Sequence, residues 1–300
     1  MISFPDETWA SNGPNRLCSV EGLERLTDLL RPLHARLGHP QEGDWLEEHP
    51  EPGQTFRQFL AAEPPYPDAR RHTIYFQPLG HTTAGQCEIL ALNADFIERF
   101  FHMPVKLLGD VTSVVVPDTA WRRHPTRGNR QLLTSFLLDQ VLLPRLPADA
   151  FLCLGFTGAD LWPGGNYHFV LGQPSGHGPV GVWSLYRYGD PALSPEARRL
   201  CLLRTVKRTT HEIGHMLGML HCTAYECGMC GSGSFAEADR HPLAFCPECS
   251  AKIWWSTGAD PARRYRLLDE FCLSNKLQAQ ADFFGRCLRI LDAAENTKPA

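Results

Sequence analysis

The sequence contains no uninterrupted apolar run long enough to cross a membrane. Its most apolar region, residues 132–156, is broken by Asp139, Arg145 and Asp149 and by two prolines. The first ten residues also lack the basic segment and the apolar segment that mark a secretory signal, so we expect no signal peptide. These features predict a protein that neither enters a membrane nor is exported, with a cytoplasmic location and the nucleus as an alternative.

The sequence also lacks a large net charge of either sign. The formal net charge of the 300 residues is −4, and no stripe of lysine and arginine surrounds the cysteine-rich region at 222–250. A nucleic-acid or anionic-membrane partner is therefore not expected. The length suffices for one large domain or two subdomains that share a cleft, and we expect a monomer.

Cysteine is present in an odd number, eleven residues. Without a secretion signal a reducing compartment is expected, where clustered cysteines bind metal more often than they form disulfides. Five cysteines cluster between residues 222 and 249. The others are scattered and are interpreted as small core residues: Cys18, Cys87, Cys153, Cys201, Cys272 and Cys287.

One motif organises the chain, His211-Glu212-x-x-His215-x-x-Gly218-x-x-His221. On a helix, positions i and i+4 share one face, so His211 and His215 can present two imidazoles to one cation. Gly218 can adopt a positive φ and end the helix, which lets the chain return with His221 as a third ligand. Three protein ligands and one open position are typical of a catalytic zinc, with Glu212 placed to touch a water on the metal.

A bare H-E-x-x-H also occurs by coincidence, in which case the histidines are ordinary surface or core residues and Glu212 is a solvated carboxylate. The additional Gly218 and His221 at fixed offsets argue against coincidence.

Alternating and apolar patterns predict a mixed α/β (α+β) fold. The predicted strands are residues 72–79, 105–109, 112–116, 150–157, 167–172 and 180–187. The predicted helices are residues 20–37 with an interruption at Pro32, 88–102, 131–143, about 195–217, 251–255, 261–272 and 277–291.

The residues after the histidine motif point to a family. The motif continues as His221-Cys222, then Cys227-Gly-Met229, then Cys246-x-x-Cys249. This run resembles the archaemetzincins, a branch of the metzincin zinc peptidases, and the resemblance extends over roughly residues 70–275. Upstream segments that share it are residues 74–80, 154–163, 169–172 and 180–187.

The resemblance implies a metzincin-like zincin with a mixed, mostly parallel twisted sheet and a mainly helical, zinc-stapled C-terminal subdomain. The corresponding division is a partly helical N-terminal extension (1–67), an N-terminal subdomain (68–221), a C-terminal subdomain (222–292) and a frayed tail (293–300). It also implies that the strand at 167–172 is a cleft edge to which an extended peptide adds, with His168 and His177 near its rim.

A second metal site has two possible ligand sets. Spacing alone selects Cys227, Cys230, Cys246 and Cys249, the pattern of a zinc ribbon. The resemblance selects Cys222 in place of Cys230, and we favour that set because ligation of Cys222 would lock the adjacent His221. A redox C-x-x-C is disfavoured because the βαβ context of such motifs is absent. The resemblance also assigns Met229 to the Met-turn, an apolar floor under the catalytic metal.

Together these features predict a zinc metallopeptidase with one catalytic and one structural zinc, acting on a peptide or protein. Glu212 would serve as the general base. The resemblance adds an aminopeptidase-like preference for small peptides. The alternatives are a catalytically weak metzincin scaffold that binds peptides or regulates, and a zinc-ribbon nucleic-acid binder, which the charge disfavours.

Overall fold

The computed structural model describes residues 19–80, 82–109, 111, 116–176 and 178–296. The chain divides into two compact units. The unit that we call the helical unit comprises the described parts of residues 1–68, 99–102 and 206–300. The unit that we call the sheet unit comprises the described parts of residues 69–98 and 103–205. The predicted division into an N-terminal extension and two subdomains stays a prediction.

The sheet unit contains a five-stranded sheet and a three-stranded sheet among its described residues. The strands in chain order are β1 (Thr73–Leu79), β2 (Val105–Leu107), β3 (Trp121–Arg123), β4 (Arg130–Leu133), β5 (Ala150–Thr157), β6 (Asp160–Trp162), β7 (Gly172–Pro174) and β8 (Val180–Ser184). The larger sheet has the order β2-β1-β5-β8-β7, and all its pairings are parallel except β7 with β8. The predicted mixed α/β fold with a mostly parallel sheet is therefore confirmed.

Strand β5 lies at the centre of the larger sheet because its side chains are apolar on both faces. Seven of its eight residues are buried, as expected for a parallel strand covered on both sides. Gly155 lets the neighbouring layers approach closely. A Cβ atom there would lie 2.7 Å from Leu79 Cδ1 and 2.9 Å from Leu142 Cδ1.

The three-stranded sheet, ordered β3-β4-β6, corrects the start of the predicted helix at 131–143. Residues Arg130–Leu133 pair with β3 and β6, and a π-helical segment follows at Phe136–Leu142. A short apolar run fits either a strand or a buried helix, and here strand partners decided the outcome. The buried Asp160 of β6 accepts hydrogen bonds from Arg187, Asn129 and Gln131, which ties this sheet together.

The predicted strand at 167–172 is wrong in its position. Val170 makes only an isolated bridge with Leu161, and the edge strand β7 begins at Gly172. The predicted strand at 180–187 ends at Ser184. The predicted strand at 112–116 and His177 lie outside the described residues, apart from Val116.

The helices of both units agree with most of the predicted segments. They are α1 (Val20–Leu30), α2 (Trp45–Glu48), α3 (Phe56–Ala61), α4 (Ala84–Phe101), α5 (Pro195–Met216), α6 (Phe235–Arg240), α7 (Pro247–Thr257), α8 (Pro261–Ser274) and α9 (Gln278–Asn296). None of the described helices is both long and apolar enough to cross a bilayer.

Several helices differ from the prediction in their bounds or in their presence. The first helix stops at Leu30, and a single 3₁₀ turn contains Pro32, because proline cannot donate the next helical hydrogen bond. Helices α2 and α3 form in the N-terminal extension beyond the one helix that the sequence predicts there. Helix α9 continues to Asn296, through the first residues of the predicted frayed tail.

Candidate metal centres

Helix α5 carries the first two histidines of the motif. The Nδ1–H of His211 donates to the Gly228 carbonyl at 3.0 Å, and the Nδ1–H of His215 donates to the Met219 carbonyl at 2.8 Å. A carbonyl oxygen can only accept, so each ring has its proton on Nδ1 and a lone pair on Nε2. Both Nε2 atoms point at the same spot, 2.9 Å apart.

The turn after α5 brings in the third histidine. Gly218 has φ +86°, its N–H donates to the His215 carbonyl, and the Met219 N–H donates to the Gly214 carbonyl. This pair of bonds is the Schellman ending, which requires a residue in the left-handed region. The ring centroid of His221 then lies 5.3 Å from that of His211 and 4.8 Å from that of His215.

The three rings fit a metal cation. One nitrogen from each of the three lies within 4.8 Å of the others. Two facing lone pairs repel each other unless a proton or a cation lies between them, so a shared metal explains the convergence. Burial lowers the pKa of His211 well below its usual range and also lowers the pKa of His215. Both imidazoles are therefore neutral at physiological pH, as metal ligation requires.

Glu212 lies beside this cluster on the same helix. Its carboxylate accepts a hydrogen bond from Arg208 Nη1, one turn earlier, at 3.1 Å. The side chain is 13% exposed, so it is largely shielded from water but still accessible. The geometry gives Glu212 a defined orientation, which a solvated surface carboxylate would lack.

Met229 is fully buried against the histidine-bearing helix. A Cβ atom on Gly214 would lie only 2.5 Å from Met229 Sδ, so the absence of a side chain there allows the methionine to pack between the two histidine turns. The Met229 carbonyl also accepts a hydrogen bond from the Cys222 N–H at 2.8 Å. The methionine thus fixes the segment that carries Gly228, the partner of His211.

Four cysteine sulfurs form a second cluster in the helical unit. The Sγ atoms of Cys222, Cys227, Cys246 and Cys249 lie within 4.8 Å of one another, and all four residues are buried. Backbone N–H groups of Met229 and Cys246 approach Cys227 Sγ at 3.4 and 3.1 Å. None of the described cysteines forms a disulfide.

This cluster also fits a cation. Burial raises the pKa of the Cys227 thiol well above its usual range, because a buried thiolate loses its hydration, and the neighbouring sulfurs raise it further. A metal ion supplies positive charge and deprotonates the thiols. Cys230 is buried nearby, where its thiol donates to the Tyr225 carbonyl at 3.2 Å, and it is not one of the four. The geometry thus brings together the set that contains Cys222.

Known proteins are similar to this chain over the region that contains both candidate metal clusters. The model of Peptidase family M54 matches residues 152–254. The chain is 33% identical over 298 residues to Archaemetzincin-2 of Rattus norvegicus, covering 87% of this chain and 80% of that protein. The chain belongs to the archaemetzincin family. This places it in a family of zinc metallopeptidases.

The chain is also similar to other archaemetzincins. Archaemetzincin-2 of Homo sapiens is 33% identical over 289 residues, covering 85% of this chain and 78% of that one. The crystal structure of an archaemetzincin from Methanopyrus kandleri has a TM-score of 0.49 and 29% identity, covering 62% of this chain and 96% of that chain. The archaemetzincin structure from Archaeoglobus fulgidus complexed with malonate has a TM-score of 0.46 and 28% identity, covering 60% of this chain and 99% of that chain.

The sequence pattern of this archaemetzincin did not reveal one neighbour of the histidine cluster. The Glu51 carboxylate contacts His221 Nδ1 at 2.8 and 3.0 Å. Glu51 lies in a segment rich in proline and acid, where a single carboxylate carries no recognisable signal. His34 packs edge-on against Tyr225 and Phe283, whereas His168 is exposed in the sheet unit.

Proposed function

We propose that this protein hydrolyses peptide bonds as a zinc-dependent metallopeptidase of the metzincin type. The observation that carries the proposal is the convergence of the His211 and His215 lone pairs, with His221 completing the set, beside the partly shielded carboxylate of Glu212. A zinc ion held by His211, His215 and His221 supplies a Lewis acid that makes water nucleophilic near neutral pH and stabilises negative charge on a carbonyl oxygen.

Glu212 acts as the general base in this proposal. Its carboxylate takes one proton from the attacking water while the oxygen bonds to the peptide carbonyl carbon. The same carboxyl group then gives the proton to the amide nitrogen as the carbon–nitrogen bond breaks, which returns Glu212 to its ionised form. Arg208 holds one carboxylate oxygen at 3.1 Å and so directs the other toward the reacting water.

The second cluster has a structural role in this proposal. Cys222, Cys227, Cys246 and Cys249 would hold a closed four-thiolate zinc, which has no open position for substrate. It connects the residue after His221 with the first turn of α7, where Cys246 is the N-cap. Each chain would then bind two zinc ions with different functions. Met229 would form the apolar floor of the catalytic site, as its packing against Gly214 supports.

A peptide digest tests the proposal directly. A diverse peptide library is incubated with zinc-loaded wild type, with Glu212→Gln and with Glu196→Gln, and the cleavage products are read by mass spectrometry. Glu196 lies exposed at the start of the same helix and serves as the matched control. Loss of the base should lower the rate by roughly 100- to 10,000-fold without loss of zinc, whereas the control should cleave as the wild type does.

The cleavage positions decide the finer question. Cuts confined to the first residue of each peptide would indicate the aminopeptidase-like action on small peptides, and internal cuts would indicate an endopeptidase. Equal cleavage by wild type and Glu212→Gln would contradict the assigned base. No cleavage by a wild type with zinc bound would favour the alternative function, a catalytically weak scaffold that binds peptides.

A further inference from the structure

The third histidine is held differently from the other two. His211 and His215 donate their Nδ1 protons to backbone carbonyls, whereas His221 faces the carboxylate of Glu51 at 2.8 and 3.0 Å. The two residues are 170 positions apart in the sequence and lie in the same helical unit. Glu51 is also outside residues 152–254, the part matched by the peptidase family model.

A carboxylate has specific effects on a metal-binding histidine. As the acceptor of the Nδ1 proton it selects the tautomer with a free Nε2, fixes the ring orientation and makes the ring a stronger electron donor. These effects matter most at His221, because this residue follows the end of α5 and lies in non-helical backbone. His211 and His215 are already oriented by the helix.

Glu51 is itself fixed by Trp45. The indole Nε1–H donates to Glu51 Oε1 at 2.9 Å, and the indole ring packs edge-on against the His221 ring with centroids 5.5 Å apart. The Trp45 backbone N–H donates to Glu237 Oε1 at 3.0 Å. The indole also lies so close to Gly231 that a Cβ atom there would be 2.3 Å from the ring.

Gln54 fixes the same segment from the other end. Its side chain donates to the Gly218 carbonyl at 3.3 Å and accepts from the Leu220 N–H at 3.2 Å, so it contacts both sides of the turn that leads to His221. Buried Lys252 donates to the Gln54 carbonyl at 2.6 Å and to its side-chain oxygen at 3.0 Å. Residues 45–54 therefore follow the histidine turn along its length.

We propose that Glu51 is a positioning residue of the histidine site, and that the segment 45–54 is part of the metal centre. The inference rests on the proposed function only in assuming that a metal binds the three histidines. Both Glu51 oxygens contact His221 Nδ1, and one also accepts a hydrogen bond from Trp45, so these contacts hold the carboxylate against the histidine.

The test measures metal affinity in the full-length protein. Zinc binding at the histidine site is determined by competition with a chromogenic chelator for wild type, Glu51→Ala, Glu51→Gln and the control Glu48→Ala. Glu48 is exposed and lies three residues from Glu51. The four-cysteine site is followed in the same samples by cobalt substitution, because thiolate-to-cobalt charge-transfer absorption reports that site alone.

Glu51→Ala should weaken zinc binding at the histidine site roughly 10- to 100-fold, the effect typical of losing an outer hydrogen-bond partner of a ligand. Glu51→Gln keeps an acceptor of the same shape without the charge, so its affinity should lie between those of Glu51→Ala and wild type. The thiolate–cobalt spectrum and the affinity of Glu48→Ala should match the wild type. Peptide hydrolysis by Glu51→Ala should recover partly when zinc is in excess.

Three results would overturn the proposal. Wild-type affinity in Glu51→Ala would show that the contact does not support the ligand. A raised KM with unchanged zinc affinity would show that Glu51 binds substrate instead. Equal loss of both metal sites in Glu51→Ala and Glu51→Gln would show a purely structural role. A wild type that binds zinc but cleaves nothing would refute the proposed function, and the affinity comparison would still decide the role of Glu51.

Discussion

Replacing Gly218 by alanine should destabilise the helical unit and weaken the histidine site together. Gly218 has φ +86°, and a side chain in this region costs about 1–2 kcal/mol. The new Cβ atom would also lie 3.1 Å from Pro64 Cβ and 3.3 Å from Pro65 Cδ. Because proline rings are rigid, this crowding adds about 1–2 kcal/mol, for a total loss of about 2–4 kcal/mol in the free energy of unfolding.

A matched variant separates the two contributions. Gly43 in the same unit has φ +79°, and a Cβ atom there would meet nothing within 4 Å. Gly43→Ala should therefore lose only the backbone contribution, about 1–2 kcal/mol. Both losses are measured by urea unfolding of the zinc-loaded protein followed by circular dichroism.

Zinc affinity provides the second measurement. Gly218 ends α5 between the second and third histidines, so Gly218→Ala should bind zinc more weakly at the histidine site, whereas Gly43→Ala should bind it as the wild type does. Equal destabilisation of the two variants would show that the contact with Pro64 and Pro65 does not constrain the turn. Unchanged stability and zinc affinity in Gly218→Ala would refute the requirement for a left-handed residue at this position.

Two further predictions concern the same unit. The double variant Cys246→Ser, Cys249→Ser should lose the cooperative unfolding of the helical unit, since structural zinc contributes on the order of 10 kcal/mol to folding. His211→Ala should keep that cooperative unfolding, which is followed by near-ultraviolet circular dichroism. Equal loss in both variants would contradict the two-site model. Burial lowers the pKa of His102 to about 4, so the unfolded chain binds more protons between pH 6.5 and 4, and stability should fall with falling pH by up to about 1.4 kcal/mol per unit. Asparagine tolerates the φ of +55° at this position, so His102→Asn should flatten the dependence of the unfolding free energy on pH, measured by urea titrations. The exposed control His39→Asn should leave that dependence unchanged. The same dependence in the wild type and both variants would rule out His102 as its source.

Local patterns predicted most of the elements that hold the candidate site. The apolar run at 150–157 is the central strand with the predicted bounds, and α5 begins at the predicted proline. These predictions succeed because strand and helix periods are local properties of the backbone. The predicted helix at 131–143 was wrong at its start, where residues 131–133 belong to β4, since a short apolar run takes the structure of whichever partner it meets.

The chain order alone was sufficient to identify the three histidines that can share a metal. The spacing of His211 and His215 places them on one helical face, and Gly218 supplies the turn to His221, all within eleven residues of chain. Spacing alone selected Cys230, the family resemblance favoured Cys222, and the packed chain brings Cys222 together with the other three cysteines. The contact of Glu51 with His221 had no counterpart in the sequence pattern and emerged only from the tertiary structure. The physical reason is that helix geometry follows from neighbouring residues, whereas a contact across 170 positions depends on how the packed chain brings its segments together.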